Sequence, residues 1–350
     1  MATDIYSTHV LRGVVRSLPQ PPSFLLDAFF GSVQEEESEE IHFDVESEGR
    51  RITPFCSPLI AGKVVQNRGY ATKTFKPAYA KDKRHLQPNQ PLKRVIGEQI
   101  GGSLSAMERR AAVVRESIAD QIDMLTRREE VMAAEVLRTG KVTVAGEGFA
   151  TTVVDFGRAA ALTVAALTGD DRWSVDHADS NPLEDLETWG ALVQANGGGV
   201  VTDIVFKPDA WAAFRKRLIA RGEAAALFDF MRSGGNAAQL APIMRDERAK
   251  LVGQLDTVNL WVYDDTYVND AGSTVNLLPT AGSLLMVSRP NLMGVRAYGM
   301  IQDEKAGYSA TRFFIKSWLE EDPAVRWLLL QTAPLIVPFR PNASLAAIVL

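Results

Sequence analysis

The chain has 350 residues, 46% of them hydrophobic and 23% charged, with a formal net charge of −5; this is the composition of a folded protein with one large core or two smaller ones, and it excludes disorder throughout. One cysteine, Cys56, excludes an internal disulfide framework, and histidines at 9, 42, 85 and 177 stand too far apart for a local metal-ligand spacing. The opening MATDIYSTHVLRGVVRSLPQPP lacks the continuous apolar core of a signal peptide, and no stretch is long and apolar enough to span a bilayer, so neither secretion nor membrane insertion is expected and a reducing compartment is.

In chain order, residues 1–50 show weak periodicity and a proline-rich break at Pro19, Pro21 and Pro22, which predicts an N-terminal arm rather than a domain. Charge then segregates. Glu35 to Arg50 hold eight acidic residues and one basic, whereas Ala61 to Ile96 hold nine Lys or Arg against Asp82 alone. Such blocks are ordinarily solvated faces; the alternative is that one block meets the other across a subunit boundary. Residues 51–95 carry the β-prone pieces GKVVQ and TKTF among Pro54, Pro58, Pro77, Pro88 and Pro91. Proline is tolerated at sheet edges and not in central strands, so this segment reads as a long two-stranded loop that no sheet flanks on both sides. Arms of about 15 residues at roughly 3.3 Å per residue would project on the order of 50 Å, and an isolated hairpin of that kind needs a partner surface. Cys56, flanked by prolines in PFCSP, reads as a small buried thiol.

The stretch SLSAMERRAAVVRESIADQIDMLTRREEVMAAEVLRTGK follows, with Ser103 as a candidate N-cap and Gly140 as the stop. Leu104, Met107, Ala111, Val114, Ile118, Ile122, Leu125, Met132 and Val136 recur at three- and four-residue steps, and Asp123 with Arg127 adds an i,i+4 pair. This predicts a single helix over 103–138, about 54 Å long, acting as a spine beneath a sheet; its apolar stripe lapses at Glu129. KVTVAGEGFATTVVDF reads as a hairpin turned at Gly146 to Gly148. In NPLEDLETWGALVQANGGG, Asn181 caps a helix, Pro182 opens it and the glycines end it. VVTDIVF is a strand and PDAWAAFRKRL a helix with Trp211, Phe214 and Leu218 inward; NLWVYDDTYV, LLMVS and GVRAYGMI are further strands, with an NDAG turn after the first. WLLLQTAPLIVPF, Trp327 to Phe339, is broken by Gln331, Thr332 and two prolines and reads as a buried, bent strand. Helices and strands mixed in this way define an α+β class.

Signatures for chemistry are weak. Gly62-Lys63 and Gly140-Lys141 have Ser57 and Glu135 where a phosphate-cradling loop needs glycine, and Val64 and Val142 where it needs Ser or Thr. No Gly-x-Ser-x-Gly elbow is present. His177, Asp179 and Asp185 could meet around a metal, but a loop acid cluster is ordinarily solvated. No catalytic, cofactor or metal residue is therefore expected, and the chain does not read as an enzyme. A basic run interleaved with Tyr70, Phe75 and Tyr79 could pair phosphates and stack bases, but the chain as a whole is acidic, unlike most specific nucleic-acid binders.

In order along the chain stand SPLIAGKVVQNRG and TFKPAYAKDK in the loop, GEGF and VDFGR after the long helix, VFKPDAWAAFR, and YGMIQD, Trp318, EEDPA and QTAPLIVP near the end. Together they resemble the major capsid proteins of lambda-like tailed bacteriophages, the phage major capsid protein E family, over nearly the whole length. The resemblance implies an arm at 1–50, an extended β-hairpin loop at 51–95, a peripheral domain with its spine helix and β-sheet at 96–180 and 305–341, and an α+β axial domain at 181–304 and 342–350. It implies a subunit without cofactor that forms hexamers and pentamers of an icosahedral shell around double-stranded DNA, assembled in the host cytoplasm with portal and scaffolding proteins. It also implies a separate head-decoration protein in place of covalent crosslinks. A storage shell of the same fold enclosing a cargo enzyme is the alternative. On this basis Arg68, Tyr70, Lys73, Phe75, Lys76, Tyr79, Lys81 and Lys83 are expected to contact an adjacent subunit, with Glu36, Glu37 and Glu39 as the facing acids.

Overall fold

A computed structural model of the chain describes residues 6–38, 40–46, 56, 70–87, 104–223, 248–269, 271–322 and 325–350. Helix α1 (Thr8–Ser17) starts where the Ser7 hydroxyl accepts the Val10 N–H, and it buries Leu11 and Val15. Helix α2 (Phe24–Phe29) buries every residue but Asp27, and strand β1 (Ser32–Glu35) runs parallel to a much later strand, Gly294–Tyr298. Residues 6–35, the first part of the segment expected as an arm, pack against the body through these elements. The reason is apolar content: Phe24, Leu25, Leu26, Phe29 and Phe30 are each at most 3% exposed and belong to the largest core.

Strand β2 (Ile41–Glu46) pairs antiparallel with β3 (Tyr70–Phe75) in a two-stranded ribbon, and β4 (Ala80–Leu86) joins another sheet. TKTF lies in β3 as expected, but its partner is the acidic IHFDVE; GKVVQ lies outside the described residues. Cys56 is exposed, not buried.

The spine, α3, spans Ala106–Thr139. Its N-cap is Ser105 and not Ser103, because only Ser105 has an acid three residues on: the Ser105 hydroxyl accepts the Glu108 N–H, and the Glu108 carboxylate accepts the Ser105 N–H. Gly140 ends the helix at φ +70°, as the sequence predicts. Val114, Ile118, Ile122, Leu125, Met132 and Val136 are buried, but Met107, 61% exposed, and Ala111 face solvent, so the buried stripe begins at Val114, about two turns after Met107.

Beyond the spine, β5 (Lys141–Gly146) and β6 (Phe149–Asp155) form the expected hairpin. Helix α4 (Pro182–Ala195), β7 (Asp203–Phe206) and α5 (Pro208–Ala220) follow, then β8 (Ala249–Leu255), β9 (Val258–Tyr263), β10 (Thr266–Val268), β11 (Thr274–Asn276) and β12 (Ser283–Val287). After the helical turn α6 (Arg289–Leu292) come β13 (Gly294–Tyr298), β14 (Phe314–Glu320), β15 (Val325–Thr332), β16 (Pro334–Pro338) and β17 (Ser344–Ile348). A five-stranded mixed sheet in the order β17-β12-β7-β9-β8 packs with α4 and α5 around Trp189, Trp211, Phe206 and Phe214. A three-stranded sheet, β14-β15-β4, lays Ile315, Leu328 and Leu330 on the N-terminal half of the spine. Another, β1-β13-β16, shares the largest core with the C-terminal half of the spine. The bent strand resolves into β15 and β16, which belong to different sheets and are separated by the fully buried Ala333. Among the described residues, no helix is long and apolar enough to cross a membrane.

Candidate functional site

The β2–β3 ribbon brings the acidic and basic blocks together within one chain, since Ile41 pairs with Phe75 and the acidic run ends immediately before it. Tyr70 and Lys73 lie on β3, opposite Glu46 and Phe43 in register. Phe75 is 9% exposed and packs with Ile41 in the subunit's own core. The ribbon meets the body at its base: a Cβ on Gly299 would stand 2.6 Å from Cγ of Pro77. Tyr79 is also tied to its own subunit, donating its hydroxyl hydrogen to the Met300 carbonyl at 2.6 Å and accepting the Gln302 N–H at 3.2 Å.

Strand β4 alternates. Asp82, Arg84 and Leu86 turn towards the spine, where Gln121 donates to the Asp82 carbonyl at 2.9 Å and Arg84 pairs with Asp82 and Asp120. Lys81, Lys83 and His85 are exposed on the opposite face. Lys83 Nζ stands 3.9 Å from the Trp327 ring centroid and 5.4 Å from that of Trp318, and Lys81 Nζ stands 5.0 Å from that of Tyr79. Lys76 and Glu37 are exposed; Glu36 is half-buried and accepts a 2.6 Å hydrogen bond from Gln34. Arg68 and Glu39 lie outside the described residues.

The most concentrated electrostatics lie elsewhere, at a pair of spine residues that the sequence reading passed over as a lapse. Glu130, 2% exposed, accepts the Leu25 and Leu26 N–H groups at 2.7 and 3.0 Å and the Tyr263 hydroxyl at 2.9 Å. It thereby satisfies two backbone donors in the first turn of α2 and binds that helix to the spine. Glu129, fully buried, accepts from the Tyr298 hydroxyl at 3.0 Å and from Arg312 at 3.1 Å. Burial pushes the Glu129 carboxyl above its ordinary range, an effect that Arg312 opposes without cancelling, and burial likewise pushes the Tyr298 hydroxyl up. At the far end of the spine, Arg158 donates to the Leu137 and Arg138 carbonyls at 2.7 and 2.6 Å, and burial lowers its guanidinium to about 10. Two adjacent acids where the apolar stripe of the spine lapses, between Leu125 and Met132, were the available signal for this centre.

The loop candidates serve the fold in the same way. Asp185 accepts the Trp173 indole N–H at 2.7 Å, with its carboxyl pushed up by burial; Arg217 binds Asp176 and the carbonyls of His177 and Ser180. Among the described residues, no three His, Cys, Asp or Glu side chains group as metal ligands.

The fold is that of the tailed-phage shells. It aligns with the crystal structure of a prophage protein from E. coli CFT073 over 100% of both chains at TM-score 0.77 and 21% identity. It aligns with the capsid of Ralstonia phage GP4 at TM-score 0.55 and 13% identity, covering 95% of this chain and 91% of that one. The chain belongs to the phage major capsid protein E family, whose model matches residues 7–349. It is 28% identical over 292 residues to the major capsid protein of Escherichia phage lambda, covering 82% of each, and 25% identical over 346 residues to that of Enterobacteria phage P21, covering 95% and 96%. It is a shell-forming head protein of the virion capsid.

Proposed function

We propose that the chain forms hexamers and pentamers that close into an icosahedral shell around double-stranded DNA, assembled in the host cytoplasm with portal and scaffolding proteins and dressed by a head-decoration protein. Within it, the five-stranded sheet with α4 and α5 is the axial domain, and the spine with its flanking sheets is the peripheral one. The observation that carries this reading is the β2–β3 ribbon, which pairs with no third strand among the described residues. An isolated two-stranded ribbon is marginal in water, and in a closed assembly every copy has a neighbour to lie on. Family membership favours a phage head over a storage shell.

In this reading, the segment from Arg68 to Lys83 clasps an adjacent copy, its cations facing acids such as Glu36, Glu37 and Glu39 of that copy. Single exposed ion pairs contribute only about 0–1 kcal/mol, so the effect depends on repetition at every contact. The test is the triple variant Lys73→Glu, Lys76→Glu, Lys81→Glu, examined by electron microscopy beside the unaltered protein. The unaltered protein should form shells, tubes or capsomers, more weakly at high salt, and the variant should remain folded but unassembled. Normal shells from the variant would refute the clasp; a monomer from the unaltered protein under every assembly condition would refute the shell reading itself.

A further inference from the structure

Between α1 and the approach to β14 lies a cavity of about 320 Å³, lined by Arg12, Arg16, Gln20, Glu35, Thr311 and Arg312 among others. That is at the lower end of the roughly 300–1,000 Å³ of small-molecule sites. Arg12 and Arg16 fall on one face of α1, a turn apart, while Thr311 and Arg312 come from residues far along the chain. Three donors in this lining are buried and without a hydrogen-bond partner among the described residues: Arg12 Nη2, Arg312 Nε and the Thr311 hydroxyl. Buried donors are paired in the great majority of cases, so three orphans lining one cavity call for an acceptor. The other atoms of Arg312 are engaged, with Nη1 on Gln20 at 3.1 Å and Nη2 on Glu129 at 3.1 Å, and the Arg12 guanidinium lies 5.1 Å from the Phe314 ring centroid. Both side chains are therefore held in place. With Arg16, three positive charges stand against Glu35 at the exposed rim and the already paired Glu129.

We infer that this cavity binds a phosphate group. Two guanidinium groups and a hydroxyl, one from α1 and two from the segment before β14, suit an oxyanion with three or more oxygens, whereas a planar carboxylate is satisfied by one guanidinium fork. The phosphate is either the free ion or a phosphodiester of nucleic acid, and this assignment does not depend on the contact surfaces proposed for the shell.

The test is thermal unfolding and calorimetric titration of the full-length protein with inorganic phosphate, against sodium chloride at matched ionic strength, and separately with a short DNA duplex. Phosphate should raise the melting temperature in a concentration-dependent, saturable way. Thr311→Val removes the hydroxyl and keeps its shape, and Arg16→Gln lies at an exposed position, so the melting temperature of each variant without phosphate serves as the check that it still folds. Combined with Arg12→Gln they should weaken phosphate binding roughly tenfold or more. Saturable binding of the free ion lost in these variants supports the site with phosphate as its ligand; duplex binding lost in the same variants supports it with a phosphodiester. No response beyond that of chloride, or a response unchanged in the variants, would overturn it. So would variants that fail to assemble although neither probe binds the unaltered protein, since the acceptor would then be a neighbouring protein's carboxylate.

Discussion

Replacing Glu130 tests how the N-terminal segment is held to the spine. In Glu130→Ala, the Leu25 and Leu26 N–H groups lose their acceptor within a core where Leu25, Leu26 and Phe30 are fully buried. Each unsatisfied buried donor costs about 1–3 kcal/mol, so the two together should cost about 4 kcal/mol; the Tyr263 hydroxyl can rotate and adds less. In Glu130→Gln, the carbonyl oxygen can keep the Leu25 and Tyr263 bonds made to Oε1, while the amide NH₂ meets the Leu26 N–H made to Oε2. One charge-assisted bond is lost there, at about 2 kcal/mol. Against a total stability of about 5–15 kcal/mol both are measurable by urea denaturation of the unassembled subunit. Tryptophan fluorescence is a suitable probe because the Trp261 ring packs 5.1 Å from that of Phe24. Proteolysis between α1 and β1 should rise in the same order, Ala above Gln above the unaltered protein. If both variants fall within about 0.5 kcal/mol of the unaltered protein and α2 stays protected, the carboxylate does not hold the segment.

Ile118→Asp places a carboxylate at a fully buried spine position and should cost several kcal/mol, giving insoluble or unassembled protein, whereas Arg115→Ala at an exposed position should be neutral within about 0.5 kcal/mol; equal tolerance in a solubility and denaturation assay would mean the stripe is not buried. Gly140→Ala forces a side chain into φ +70° with its Cβ 2.6 Å from Cβ of Arg158, and a loss of about 1–3 kcal/mol is expected in the same assay; no loss would mean the spine does not end in that conformation. Glu129 has a folded pKa raised above the ordinary 4.5, so its contribution is fully present below the unfolded value and is lost as pH rises through the folded one. Glu129→Gln should therefore be more destabilising near pH 4.5 than near pH 8, relative to the unaltered protein, and a penalty that grows with pH in denaturation curves would contradict the assignment.

The elements legible in the sequence were those fixed by neighbours close in the chain. The spine, α4, α5 and the β5–β6 hairpin follow from apolar spacing, a cap or a turn glycine within a few residues. The N-terminal segment carries similar signals, with Leu11, Val14, Val15 and Leu18 at helical spacing, but Gly13 interrupts them and Pro19 follows. Its stability comes from the distant β13 and from Glu130, 105 residues beyond Leu25, and no local pattern reports a contact of that kind. The same distance hid the Glu129 and Glu130 centre: an acid on an apolar face reads as a gap in burial until its donors, Tyr263, Tyr298 and Arg312, are known. For the basic segment, composition marked the cations, but pairing was needed to show that Phe75 and Tyr79 are committed to their own subunit.

That commitment changes how the cations can act. A lysine on a mobile loop must lose several rotamers to form an ion pair, which is why exposed pairs contribute so little. Lys81 and Lys83 stand instead on a strand whose alternate residues are anchored to the spine through Gln121 and Asp120, so the backbone beneath them is ordered before any partner arrives. Part of the entropic cost of contact is then met on folding, and each pair should lie towards the upper end of about 0–1 kcal/mol. Lys83 is the more constrained, its ammonium held over Trp327 beside Trp318. Reversing it to Glu would remove a cation–π contact of about 0.5–1 kcal/mol within the subunit and mix a folding defect with an assembly defect. Lys81 has the weaker ring contact, with Tyr79 alone, so a reversal set that takes Lys81 and spares Lys83 separates the two effects, and a subunit that remains folded while shells fail to form then reports on the contact between copies.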